Sequence, residues 1–110
     1  MENTKQYTMM DLSIKSPIHP GEIIKDELEA RGISQKKFAS LIDCSYTVFN
    51  EILNCKRPLT ADYALRIEAA TGIKAYILVN MQSEYNLQTA RHDNRMNAIL
   101  NKIRSAAAIL

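Results

Sequence analysis

The sequence predicts an all-α fold: five helices in succession between about residues 20 and 88, then a separate amphipathic helix at the C-terminus. Three observations predict it. Apolar residues recur three and four apart through most of the chain, the period of helices with one buried face. Ser34, Ser45 and Thr60 stand where helix N-caps are needed. Gly32 and Gly72 stand where the first and fourth helices must stop. The alternating run Met10–Lys15 predicts one short strand, which would need a partner.

The elements follow in order. Residues 1–9 are polar without a period and read as a loose tail, and Ser16-Pro17 ends the strand signal. Pro20 suits a first helical turn, and acids follow it at the positive end of the helix, predicting a first helix over 20–31. Ile24 and Leu28 share its inner face; Gly32 then Ile33 read as its stop. Ser34 opens a second helix over 35–42 with Phe38, Leu41 and Ile42 at helical spacing. Asp43-Cys44-Ser45 leaves room only for a tight turn before a third helix over 46–54 carrying Val48 or Phe49, Ile52 and Leu53. Pro58 keeps Arg57 out of a helix, so 56–59 is a loop. Thr60 caps a fourth helix over 61–71 with Ala61, Ala64, Leu65 and Ala69 on one face. A fifth helix over 74–88 carries Ile77, Leu78, Met81 and Tyr85; a strand at 75–80 is the alternative, and the length of the pattern favours helix. Met96, Ile99, Leu100, Ile103, Ala107 and Leu110 then line one stripe of the tail helix, within 91–110. The chain thus divides into an N-terminal segment 1–17, a helical domain 18–90 and the tail 91–110.

Composition excludes several classes. A chain of 110 residues with two Cys, three Gly and no Trp is neither a disulfide scaffold nor collagen-like, and its thiols fit a reducing cytoplasm. The longest apolar run, Ala75–Val79, is far short of the ~20 residues a bilayer span needs, and the N-terminus lacks the order of a signal peptide. His19 and His92 are isolated and the two Cys are not at metal-ligand spacing, so no metal is expected. There is no glycine-rich phosphate loop and no nucleophile with a base, so an enzyme is not expected either. A lone His such as these usually caps a helix or lies on the surface.

The net charge of +2 is unevenly spread. In 18–33, Glu22, Asp26, Glu27 and Glu29 outweigh Lys25 and Arg31; in 34–57, Lys36, Lys37, Lys56 and Arg57 outweigh Asp43 and Glu51. The tail is net +3, from Arg91, Arg95, Lys102 and Arg104 against Asp93. An acidic first helix suits its own dipole and would also suit a basic partner.

Two short helices joined by a three-residue turn, bracketed by cations, describe a helix-turn-helix over residues 34–54. Ala39 is small where the helices must approach, and Phe38, Ile42, Cys44, Phe49 and Ile52 supply the packing. Ser45, Tyr46, Thr47 and Asn50 are left to project, side chains suited to base edges and phosphates in a major groove. Lys36 and Lys37 occupy a first helical turn, where the dipole disfavours cations unless an anion such as phosphate approaches. Lys56 and Arg57 stand after the third helix, placed to hold the DNA backbone on its other side.

Several motifs together resemble the HigA-type antitoxins, helix-turn-helix proteins of the xenobiotic-response-element group with a Cro/repressor-like fold. They are His19-Pro20-Gly21-Glu22, Ser34-Gln35, Ala39, Asn50-Glu51-Ile52, Lys56-Arg57, Thr60-Ala61-Asp62 and Ala64-Leu65-Arg66. The chain departs from that family in having Asp43 and Cys55 where Gly is usual, and no Arg in the third helix; Asp can enter the left-handed region. The resemblance implies a cytoplasmic homodimer without cofactor. It would bind a palindromic operator in double-stranded DNA, repress its own operon and neutralise a small basic RNase toxin. By position, Gln35 would contact backbone phosphate, Ser45, Tyr46, Thr47 and Asn50 would face DNA, and Lys56 and Arg57 would flank it. A stand-alone regulator without a toxin, and an interaction module that has lost DNA binding, are the alternatives. The tail could dimerise, fold back or bind the toxin.

Overall fold

A computed structural model of the chain describes residues 18–110, so the strand signal at Met10–Lys15 lies outside the described residues. Six helices follow: α1 (Pro20–Arg31), α2 (Gln35–Leu41), α3 (Tyr46–Leu53), α4 (Ala61–Thr71), α5 (Ala75–Arg91) and α6 (Asn94–Ala107). The described residues contain no strand, and 75–80 is helical. They form two compact units, Ile18–Ser83 and Glu84–Leu110.

In the first unit, α1 begins where His19 Nδ1 accepts the Gly21 amide at 2.9 Å, with Pro20 at the first helical position. His19 is buried and is the N-cap. Gly21 is where α1 meets α3: a Cβ there would lie 2.1 Å from the Ile52 carbonyl oxygen. Only glycine allows that approach without a shift of backbone.

Three helices end in the same turn. After α1, Gly32 has φ 67°, its amide reaches Glu29 O, and the Ile33 amide reaches Leu28 O at 3.0 Å. After α2, Asp43 has φ 57° and the Cys44 amide reaches Ala39 O at 2.8 Å. After α3, Cys55 has φ 63° and the Lys56 amide reaches Glu51 O at 2.8 Å. These are Schellman turns, which satisfy carbonyls that a helix end leaves orphaned. Asp43 and Cys55 therefore hold the backbone for which glycine is the usual residue. Arg66 on α4 braces the first of these sites, donating from Nη1 to Asp43 O at 2.6 Å and Ile42 O at 3.3 Å.

The core of this unit runs through all of its helices: Ile24 and Leu28, Phe38 and Ala39, Phe49, Ile52 and Leu53, Ala64 and Ile67, and Leu78. Phe38 and Phe49 lock α2 to α3, their ring centroids 5.4 Å apart. The rotation of α4 differs from the sequence reading. Ala64 and Ile67 are buried, whereas Leu65 is 58% exposed and Ala61 and Ala69 face solvent. Offsets of three and four connect either set; the stripe holding the bulkier Ile67 meets the core, as the Arg66 anchor to residues 42–43 requires. Thr60 has extended N-cap backbone but makes no side-chain cap bond. At the start of α5, Glu68 Oε2 accepts the Ala75 amide at 3.2 Å, and Gln82 Oε1 accepts the Leu59 amide at 2.8 Å, satisfying a buried donor in the 56–60 loop.

In the second unit α5 runs on to Arg91, three residues past the expected end, through a stretch free of Gly and Pro. Asp93 then caps α6, accepting the Arg95 and Met96 amides at 2.8 and 3.2 Å. Asn97 Nδ2 donates to Arg91 O at 2.9 Å, tying the two helices at their junction. α6 has no buried residue.

Candidate nucleic-acid interface

The turn between α2 and α3 is built from its caps. Ser34 Oγ accepts the Lys37 amide and Ser45 Oγ accepts the Val48 amide, each at 3.1 Å. Both serines therefore cap as the sequence indicates, and Ser45 has that role in addition to its exposed position. With Phe49, Ile52 and Leu53 facing inward, α3 turns Tyr46 and Thr47 outward and leaves Asn50 half-buried at the edge of that face.

The structure links the two helices across this outer face. Asn50 Nδ2 donates to Gln35 Oε1 at 3.2 Å, so the first residue of α2 orients the side chain that ends the exposed stripe of α3. Lys36 Nζ lies 5.7 Å from the centroid of the Tyr46 ring, a cation–π contact. A shallow cavity of about 430 Å³ opens beside them, with Ser40, Asp43 and Ser45 in its wall.

The cations differ in freedom. Among the described residues Lys36, Lys37 and Lys56 are exposed and form no ion pair. Arg57 is held by Glu51, with Nη2 2.8 Å from Oε1. The loop carrying Lys56 and Arg57 is fixed from below by His19, whose ring bonds the Arg57 backbone. Burial holds the His19 pKa below its ordinary 6.5, against smaller opposite effects of that bond and of the Glu22 carboxylate. Burial and the same carboxylate push the Cys55 thiol up, which keeps it protonated and unreactive. No group of His, Cys, Asp and Glu among the described residues could hold a metal ion. No described helix is long and apolar enough to cross a membrane.

Gln35, Lys36, Ser45, Tyr46 and Asn50 are thus brought together around the turn, joined directly or by the shared cavity. Lys37 and Thr47 are exposed on the same two helices, and Lys56 and Arg57 follow the far end of α3. Two residues that the sequence offers only as members of motifs, with no role at the site, act by positioning. Arg66 braces the turn and His19 the loop, and the signals for them were an Arg four residues after Asp62 and a His just before Pro20.

No family model matches the chain. Relatives and solved structures do. The antitoxin HigA of Pseudomonas aeruginosa, solved with the higBA promoter, is 40% identical, with a TM-score of 0.64 over 67% of this chain and 82% of that one. The chain belongs to the HigA antitoxin family. A HigA-family addiction module antidote protein from Coxiella burnetii is 30% identical, with a TM-score of 0.68 over 83% of this chain and 95% of that one. Virulence-associated protein I of Dichelobacter nodosus is 39% identical over 79 residues, 71% of this chain and 73% of that protein. As a HigA-family helix-turn-helix protein the chain is a regulator and not an enzyme.

Proposed function

We propose that the chain is a sequence-specific DNA-binding repressor and the antitoxin of a two-gene module. Two copies would read a palindromic operator with their α3 helices about 34 Å apart. The observation that carries this reading is the outer face of α3: exposed Ser45, Tyr46 and Thr47 beside a half-buried Asn50 that Gln35 orients, between two sets of cations. Gln35 would meet backbone phosphate, and Ser45, Tyr46 and Thr47 the groove. Lys36, Lys37, Lys56 and Arg57 would contact phosphates on either side. Asn50 gives one amide hydrogen to Gln35, which leaves the other hydrogen and Oδ1 for an adenine edge. With no Arg on α3, guanine is not read from that helix by a guanidinium. The promoter-bound relative supports the DNA half. The family supports the antitoxin half: neutralisation in the cytoplasm of a small basic RNase encoded beside this chain, with repression of their shared operon.

The test is a mobility shift on the upstream DNA, with and without the product of the adjacent reading frame. Wild type should shift that DNA and co-purify with the neighbouring product. Lys36→Glu with Lys37→Glu should abolish the shift and keep the co-purification. An unchanged shift in that variant overturns the interface, and the absence of a co-purifying neighbour leaves a stand-alone regulator.

A further inference from the structure

The turn that joins α2 to α3 is gripped from α4. Arg66 Nη1 donates to Asp43 O at 2.6 Å and to Ile42 O at 3.3 Å, carbonyls that the end of α2 leaves without a partner inside the helix. The guanidinium is itself fixed. Nε and Nη2 fork onto the two Asp62 carboxylate oxygens at 3.0 and 3.4 Å, and Cζ lies 5.1 Å from the centroid of the Tyr63 ring. Every nitrogen of the Arg66 fork is thus engaged within the chain, which leaves it poorly placed to hold a phosphate as well.

What Arg66 grips is a backbone conformation that costs energy. Asp43 sits at φ 57°, in the left-handed region that a side chain enters at a penalty and glycine enters freely. Ser45, two residues on, is the N-cap of α3, so a change at Asp43 swings the start of α3 against α2. The contact between the two helices on the recognition face depends on that angle: Asn50 of α3 meets Gln35 of α2 at 3.2 Å. Asp43 borders two shallow cavities, one of about 430 Å³ with Lys36, Ser45 and Tyr46, the other of about 500 Å³ with Leu41, Arg66 and Ala69. Arg66 lines the second and not the first, so it reaches the turn from outside the group of recognition residues.

We propose that Arg66 is a positioning residue for DNA recognition: it holds Asp43 in the left-handed turn and so keeps α3 at the angle to α2 that binding requires. This rests on the DNA-binding reading above. Without the brace the turn leaves that arrangement in part of the molecules, and apparent affinity falls with the fraction that keeps it.

Anisotropy titrations of the full chain on the upstream DNA, at several salt concentrations and well below the melting temperature, test it. Nearly every molecule is folded there, so a loss of stability alone leaves affinity unchanged. Arg66→Met keeps the stem and removes the donors. It should bind about tenfold more weakly, the weight of one charge-assisted hydrogen bond. Its salt slope should equal that of wild type, and the NMR signals of the Asn50 side-chain amide should be displaced in the free protein. Arg66→Lys, which keeps a donor but cannot fork onto Asp62, should lie between. In an Asp43→Gly background the turn needs no brace, and Arg66→Met should weaken binding by less than about twofold. Equal affinity of wild type and Arg66→Met overturns the proposal alone. So does a smaller salt slope in Arg66→Met, which would make Arg66 a phosphate contact. So does an equal loss with and without Asp43→Gly, which would take the turn out of the effect. A wild type that leaves the upstream DNA unbound overturns the DNA-binding reading itself, and the proposal with it.

Discussion

α3 and α6 are helices of opposite kinds. α3 has eight residues, among them Tyr, Thr, Val, Phe and Ile, which are middling helix formers; three of the eight are buried. It persists because α1 and α2 pack on it. α6 has 14 residues, eight of them good helix formers (three Ala, two Arg, Met, Leu and Lys), a good cap and no buried residue. One helix is made by the core and the other by its own sequence. Stability of α3 comes from its inner face alone, so its outer residues are free to serve recognition. In α6 no residue is buried, and Met96, Ile99 and Ile103 remain exposed.

The largest test of that contrast is truncation of one apolar side chain on each helix. Phe49→Ala should cost about 3–5 kcal/mol by urea unfolding, because it empties space shared by α2 and α3. Ile103→Ala, measured in dilute protein, should stay within about 0.5 kcal/mol. Equal losses would break the contrast.

Next is Gly21→Ala. The added methyl meets the Ile52 backbone, so α1 must move off α3 at a cost of about 1–3 kcal/mol. The expected result is a lower melting temperature for the first unit with α6 unaltered; an unchanged melt would show that α3 does not depend on this approach.

The smallest expected effect is on pH. His19 is neutral when buried, and its folded pKa lies below 6.5. The unfolded chain therefore binds the proton first, and the stabilisation is complete above about pH 6.5 and is lost as pH falls toward the lowered folded value. Melting temperature should drop below pH 6.5, and less so in His19→Asn, which keeps a capping side chain. Equal pH profiles would remove His19 from the account.

How much of this was legible depended on range. Caps, stops and the helix-turn-helix follow from neighbouring residues, so Ser34, Ser45, Gly32 and the inner face of α3 were readable directly. Asp43 was readable as a left-handed position because its side chain tolerates one. What escaped was set by distant residues. The rotation of α4 depends on Arg66 reaching carbonyls 23 and 24 positions earlier. The glycine at 21 is required by Ile52, and buried Gln82 by an amide in the 56–60 loop. The outer residues of α3 could be listed from period alone, but the Gln35–Asn50 bond that orients one of them spans 15 positions.

The central claim is that three exposed lysines per copy, which form no ion pair among the described residues, hold DNA around α3 together with Arg57. Salt dependence of binding to the upstream DNA measures it directly. Six lysines in a two-copy complex give a slope of log K against log salt of about −5, and release of Arg57 from Glu51 in both copies takes it to about −7. Lys36→Ala should reduce the slope by about 2. A slope near zero, or one that Lys36→Ala leaves unchanged, would contradict the account.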